Sequence, residues 1–403
     1  MLALAAVVAA LVPATCGHAP PFHPGPLGAV AYIRDEAVHV VDVSSGRDRV
    51  VAHLWVPSYE AGVSWSGDGR WLAVGDDLVP AAGGTLCRPF ANGTGRYGDD
   101  PSLVWSPKGE LLAATTAKGV FLLRPGDRPR RFLPAGWSAD GFGPGGGRIA
   151  AEGSLRAYEL WSIDVPSGRR TFLYRSNAHD GPPQLARWSP DGRFVVFTTD
   201  TYESASIAAD GLPLLAVSSN GGRAAHLAPE VVAASQFVQP CGPHDVLVST
   251  GFDRYVSAHK QLELLAPPYS TLRNVSADPS RSWYAATCSP DGRSIAATVT
   301  RMPGDEDGTI DSASRMIWLL TPDGRRRLLL GAPGDPVSYE GPRFSRDGRE
   351  LLYYEHATRY GAPFALYLLN IATGRSHRLA TIGGGFDYYG LHDWSGMAAW
   401  YQP

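Results

Sequence analysis

The chain is 403 residues long and carries 36 basic and 39 acidic side chains, a formal net charge of −3. That balance excludes a general nucleic-acid binder, which needs a basic surface to displace counterions, and a hydrophobic content of 44% excludes wholesale disorder. With 46 Gly, 33 Pro and 41 aromatics, 11 Trp, 17 Tyr and 13 Phe among them, the composition favours many short strands joined by tight turns.

From Met1 to Val12 the chain reads MLALAAVVAALV, an unbroken apolar run that falls short of the roughly 20 residues of a membrane-spanning helix. Small residues and a Pro-rich stretch follow, the pattern of an export signal's core and cleavage region, without its basic start. We therefore expect an export or lipoprotein signal over 1–18, a Pro/Gly-rich linker over 19–27 and one folded domain over 28–403. The expected location is outside the cytoplasm, periplasmic or at the cell surface. Cys16, directly after the apolar run, is a lipidation candidate; simple cleavage and an uncleaved anchor are the alternatives. No other segment approaches spanning length. Cys87, Cys241 and Cys288 are too few for a disulfide framework. Cys241 and Cys288 either pair in an oxidising compartment or sit as small buried hydrophobes.

The folded region repeats one unit. VSWSGDGRWLAV begins at Val63, LVWSPKGELLAA at Leu103, ARWSPDGRFVVF at Ala186, TCSPDGRSIAA at Thr287, RFSRDGRELLYY at Arg343 and HDWSGMAAWY at His392. Degenerate copies surround Phe142 and Pro240. Each is an apolar strand, a Ser-Pro-Asp-Gly turn and a second apolar strand. Proline presets φ, while Asp and Gly accept the turn's unusual backbone angles. A third strand, another tight turn and a fourth strand follow most copies, as in YELWSIDVPSGRRTFLY from Tyr158. Four antiparallel strands at a mean period of about 47 residues are the signature of an all-β fold, a β-propeller of four-stranded blades.

The repeated Trp-Ser-Pro-Asp-Gly-Arg core resembles the TolB-type WD-like β-propeller repeat family, and the resemblance covers nearly all of the chain after the signal. The spacing fits eight blades, with seven plus a terminal adornment as the alternative. The N-terminal strands from Ala29 lack a preceding Ser-Pro-Asp-Gly copy, and the C-terminal segment from Leu391 supplies one. A composite blade joining both termini would remove two exposed sheet edges. Ala29–Arg34 and Met397–Tyr401 both read as second strands of that blade, so one is surplus.

Motifs of known chemistry lead elsewhere than catalysis. Gly141 to Gly146 matches GxGxxG, but a strand-like RIAAEG follows where a dinucleotide site needs a helix. GWSADG at Gly136 has its second glycine one place too late for a nucleophile elbow. Asp68, Asp191, Asp291 and Asp347 are expected to cap their own turns. Eleven histidines show no metal-ligand spacing; His53, His226 and His377 fall on expected solvent-facing fourth strands. Asp305, Asp307 and Asp311 form a weak calcium candidate that lacks the fixed Gly and distal Glu of an EF-hand. No cofactor and no catalytic residue is expected.

Turns after strands one and three are short and regular, whereas connections after strands two and four vary widely and emerge on the opposite face. Function concentrates on variable loops held by a rigid scaffold. Just before the first strand of several blades a tyrosine–acid element recurs: Tyr59 with Glu60, Tyr97 with Asp99 and Asp100, Tyr339 with Glu340, and Asp387 with Tyr388 and Tyr389. A ring of aromatic faces and carboxylates there could stack sugars or hold a cation. The resemblance implies an exported, non-catalytic binding platform whose partner is a protein or an envelope glycan; we expect a monomer and, from the charge balance, no nucleic acid. The alternative is a carbohydrate- or metabolite-processing enzyme with its site at the channel mouth.

Overall fold

The computed structural model describes residues 16–54, 62–90, 102–153, 158–177, 180–200, 211–232, 235–251, 258–301, 314–357, 363–382 and 394–403, together with a short strand pair at 387–388 and 391–392. Among them, helix is confined to the turns Ser235–Phe237 and Trp394–Met397. The strands form seven four-stranded antiparallel units and one three-stranded unit, the latter being Val63–Trp65, Trp71–Val74 and Asp77–Pro80. Two of the four-stranded units share a sheet through the single pair Val231 and Thr250. This is the all-β propeller expected from the repeat.

The middle strands of each unit are apolar without interruption. Trp71–Val74 is buried at every position, as is Ile295–Thr300. A strand covered on both faces by neighbouring sheets gains nothing from alternating polarity, so periodicity of two is lost there. It returns at the outer edge, where Arg170–Arg175 alternates around a buried Leu173.

The termini share one sheet. Ala398–Tyr401 is its innermost strand and pairs with Ala29–Arg34 in the register Ala29 to Tyr401 and Tyr32 to Ala398; Ala37–Asp42 and Asp48–His53 complete it. The apparent surplus strand is thereby resolved, since Ala29–Arg34 is second and Ala398–Tyr401 is first. One sequence alignment is corrected. The Trp-Ser-Gly at residues 394–396 lies in the helical turn before that inner strand, not after it where the other copies carry their serine turn. Gly28 sits at the closure with φ +76, and a Cβ there would come 1.9 Å from the Tyr401 carbonyl oxygen.

The serine of the repeat has a use that sequence inspection missed. Ser189 Oγ donates to Asp191 Oδ1 at 2.6 Å and accepts from the Phe194 amide at 2.9 Å, while the Arg193 amide donates to the same aspartate oxygen at 3.0 Å. Ser66 with Asp68, Ser289 with Asp291 and Ser345 with Asp347 repeat the arrangement. Each turn thus satisfies its own backbone donors, and the capping expected of the four aspartates is present. GFGPGG is such a turn too. The Gly143 amide donates to the Arg148 carbonyl at 2.9 Å and the strand Arg148–Gly153 follows, with no helix for a dinucleotide.

Candidate functional site

Of the tyrosine–acid elements, Tyr339 and Glu340 are fully described. Tyr59, Glu60, Tyr97, Asp99, Asp100 and Tyr389 lie outside the described residues, and of Asp387 and Tyr388 only the backbone is described. The calcium candidates Asp305, Asp307 and Asp311 also lie outside them.

Tyr339 and Glu340 lie inside the inner strand Val337–Phe344, not before it, and point to opposite sides of it. Tyr339 packs 6.1 Å from the Tyr353 ring, which stacks in turn on Tyr367 at 5.5 Å. Burial pushes the Tyr339 hydroxyl's pKa upward, with Glu355 adding to the effect. Glu340 is 1% exposed. Its Oε1 lies 2.5 Å from Arg315 Nη1 and 2.6 Å from His356 Nε2, and the His356 ring meets Phe364 edge-on at 4.7 Å. The carboxylate therefore knits the strand after one variable connection to the inner strand of the next unit. His53, His226 and His377 are exposed on fourth strands as expected. Sequence inspection missed the two histidines that matter for packing, His356 and His39. The latter stacks on Tyr32 at 4.9 Å and lies 3.3 Å from Asp48, which also accepts from the Tyr32 hydroxyl at 2.5 Å. No local signal marks either cluster, because the partners come from different strands.

Both cysteine questions are answered by pairing. Cys241 is bonded to Cys288, and Cys16 to Cys87. The reading of these residues as small buried hydrophobes is corrected.

Around the axis the inner strands carry irregularities that no motif announces. Register shifts occur between Ala139 and Gly141, Leu185 and Arg187, Tyr284 and Thr287, and Glu340 and Arg343. A bulge leaves residues unpaired in the ladder and re-aims side chains. Ala285, at one such bulge, has φ 43. Past the bulges the anchors tie neighbouring units together. Trp65 Nε1 donates to the Ala399 carbonyl at 2.8 Å and Trp188 Nε1 to the Gly141 carbonyl at 3.1 Å. In the opposite sense Arg187 Nε donates to the Val238 carbonyl at 2.6 Å and Arg343 Nη1 to the Ala398 carbonyl at 3.0 Å.

Arg187 and Arg343 occupy the same repeat position, one residue before the anchors Trp188 and Phe344. Both line a cavity of about 530 Å³, within the size range of small-molecule sites, shared with Gln239, Thr287, Trp400 and Gln402. Its lining comes mainly from the ends of the inner strands nearest the serine turns. Enclosure by protein draws the Arg187 pKa down to about 10, leaving the guanidinium charged at neutral pH. On another inner strand Asp140 has the opposite character. Burial pushes its carboxyl well above the ordinary range, and the Glu152 charge adds to this against the Ser138 hydroxyl. Asp140 Oδ2 is buried without a hydrogen-bond partner among the described residues.

No protein-family model matches the chain, and no curated protein matches its sequence. Solved structures do. A dihydro-heme d1 dehydrogenase, NirN, in complex with DHE, is 15% identical at a TM-score of 0.58, over 92% of this chain and 76% of that one. Dipeptidyl peptidase 4 of Porphyromonas gingivalis is 10% identical at 0.55, over 90% of this chain and 59% of that one. A eukaryotic initiation factor is 12% identical at 0.54, over 95% and 90%. TolB of Acinetobacter baumannii also aligns, at 14% identity over 89% of this chain and 80% of that one, but its TM-score of 0.36 carries no argument. Likenesses of this order show the fold alone: the chain is a β-propeller of four-stranded antiparallel sheets.

Proposed function

We propose that this protein is an exported, non-catalytic binding propeller that recognises a protein or envelope-glycan partner through its variable-connection face. The observation that carries this reading is the contrast between the two faces. On one, the serine–aspartate turns at Asp68, Asp191, Asp291 and Asp347 are short and spend their polar groups on their own backbones. On the other, by the reading of the sequence, lie the long, compositionally varied connections with the tyrosine–acid elements of Tyr59, Tyr97 and Asp387; the fourth stands apart, since Glu340 is buried in an inner strand against Arg315 and His356. A scaffold that fixes one face and varies the other is suited to recognition. Two disulfides support an oxidising compartment. Propellers host many unrelated activities, so the partner class rests on the chemistry of that face: aromatic rings and carboxylates suit sugars and basic protein segments.

The test is capture from envelope extract with a glycan panel beside it, comparing wild type with the double substitution Tyr59→Ala, Glu60→Ala and with the turn-face control Arg293→Ala. The reading expects a partner retained by wild type and by the control and lost with the double substitution. A partner lost with Arg293→Ala and retained by the double substitution would contradict it.

A further inference from the structure

The face that carries the serine turns is basic. Arg47, Arg128, Arg169, Arg223, Arg325 and Arg375 stand in the last positions of the turn between the third and fourth strands, each in a different unit, and all are exposed. The serine turns add exposed Arg193, Arg293 and Arg349 to the same face. Acids beside them are turned into their own loops: Asp42, Asp164 and Asp191 accept from the Ser45, Ser167 and Arg193 amides. The whole chain has a formal charge of −3, so the excess of acid lies elsewhere. The variable connections hold much of it, in Glu60, Asp99, Asp100, Asp305, Asp307 and Asp311.

Charge at these turns guards the outer strands against pairing with other chains, but either sign would do that. One sign at one repeat position has a further use. The turns between third and fourth strands all end on one face of the propeller, so their arginines form a ring at one level. Such a ring matches an extended flat surface better than a small ion. Attraction between exposed charges reaches only about 8 Å at physiological salt, so groups at one level share in it and those on the far face do not.

The first described residues lie on this face too. A Cβ on Gly126, in the same turn as Arg128, would come 3.1 Å from the His18 ring and 3.7 Å from the Cys16 carbonyl oxygen. The Gly25 amide donates to Asp42 Oδ2 at 2.6 Å. The apolar run over residues 1–12 precedes them in the sequence. As an uncleaved anchor it would meet a bilayer on the arginine side, and an apolar segment with a basic patch is a pair of signals suited to stable attachment.

We propose that the turn face rests on a bilayer of anionic lipid, held there by the arginine ring, with the variable-connection face directed away from the membrane. The same surface repels the acidic connections, which fixes the orientation. Lipid binding in this manner requires no partner and leaves the opposite face free.

The experiment is co-sedimentation of the full chain, without any partner, with vesicles of phosphatidylcholine alone or mixed with phosphatidylglycerol, at low and at high salt. Wild type is expected to bind the anionic vesicles beyond the neutral ones at low salt and to lose that excess at high salt. An apolar anchor would act on both kinds of vesicle alike, so the excess reads the charge. Arg128→Gln with Arg223→Gln is expected to lower the partition coefficient for anionic vesicles by about tenfold or more. Lys118→Gln with Arg301→Gln removes exposed charges from the opposite face and is expected to change it by less than about twofold. Equal binding to both kinds of vesicle, no binding to either, or equal losses from the two double variants would overturn the proposal. Retention on dextran sulfate without binding to anionic vesicles would assign a soluble polyanion and overturn it as well.

Discussion

Arg315 and Glu340 stand 2.5 Å apart with side chains 3% and 1% exposed, an ion pair sealed between adjacent units. Removing one partner of a buried pair leaves the other charge uncompensated and typically costs about 3–5 kcal/mol. Glu340→Ala is expected to lower stability by that order, and Arg315→Ala similarly. A double substitution should cost less than the sum, because no lone charge remains. Urea unfolding of the two single variants and the double variant checks this, and strictly additive losses would show that the pair is not coupled.

The serine of each turn should matter more than its aspartate. Ser189 is fully buried and serves the Asp191 carboxylate and the Phe194 amide together. Ser189→Ala strands a buried amide and is expected to cost about 1–3 kcal/mol. Asp191→Ala, at a more solvated site, is expected to cost about 1 kcal/mol or less. Equilibrium unfolding of both variants checks the order, and a larger loss for the aspartate would reverse it.

Ring closure can be tested at one atom. A Cβ on Gly28 would collide with the Tyr401 carbonyl, and the residue's φ of +76 disfavours any side chain. Gly28→Ala should therefore destabilise the whole domain, as should removal of residues 391–403, which takes away the inner strand Ala398–Tyr401. Gly46→Ala, at φ +69 with open space around it, is the control for backbone strain without closure. Equal melting temperatures for Gly28→Ala and Gly46→Ala would contradict closure by the C-terminal strand.

Asp140 gives the pH dependence a sign. Its carboxyl is held well above the ordinary 3.8 by burial first, then by Glu152. The folded chain thus binds this proton more tightly than the unfolded chain does. The contribution to stability is present in full below the unfolded value and lost as pH rises through the folded one. Asp140→Asn, which cannot ionise, should match or fall below wild type near pH 4 and melt a few degrees higher at pH 8. Thermal scans across that range check it; a variant less stable at pH 8 than at pH 4, relative to wild type, would invert the assignment.

Much of the fold was legible because its signals are local. Asp191 and Gly192 lie within one turn, and the repeat made that turn visible five times over. The closing sheet was legible in outline, but the Trp-Ser-Gly at 394–396 drew the last copy out of register. The site was less legible. Glu340 could be picked out as part of a recurrent element, but Arg315 and His356 lie 25 and 16 residues away, just before one strand and on another, so its burial had no local sign. Cys16 and Cys87 are separated by 71 residues, and no local pattern marks their pairing. Arg187 and Arg343 hide in a variable position, where other copies carry Ser64, Val104 and Thr287. Only the ring brings the two into one cavity.

The central claim is that recognition occurs on the variable-connection face. Hydrogen–deuterium exchange of the protein with its captured partner measures this most directly. The account predicts protection in the connections after strands two and four, including residues 55–61, 91–101 and 302–313, with unchanged exchange at the serine turns around Asp68, Asp191, Asp291 and Asp347. Protection concentrated at those turns, with none in the variable connections, would contradict it.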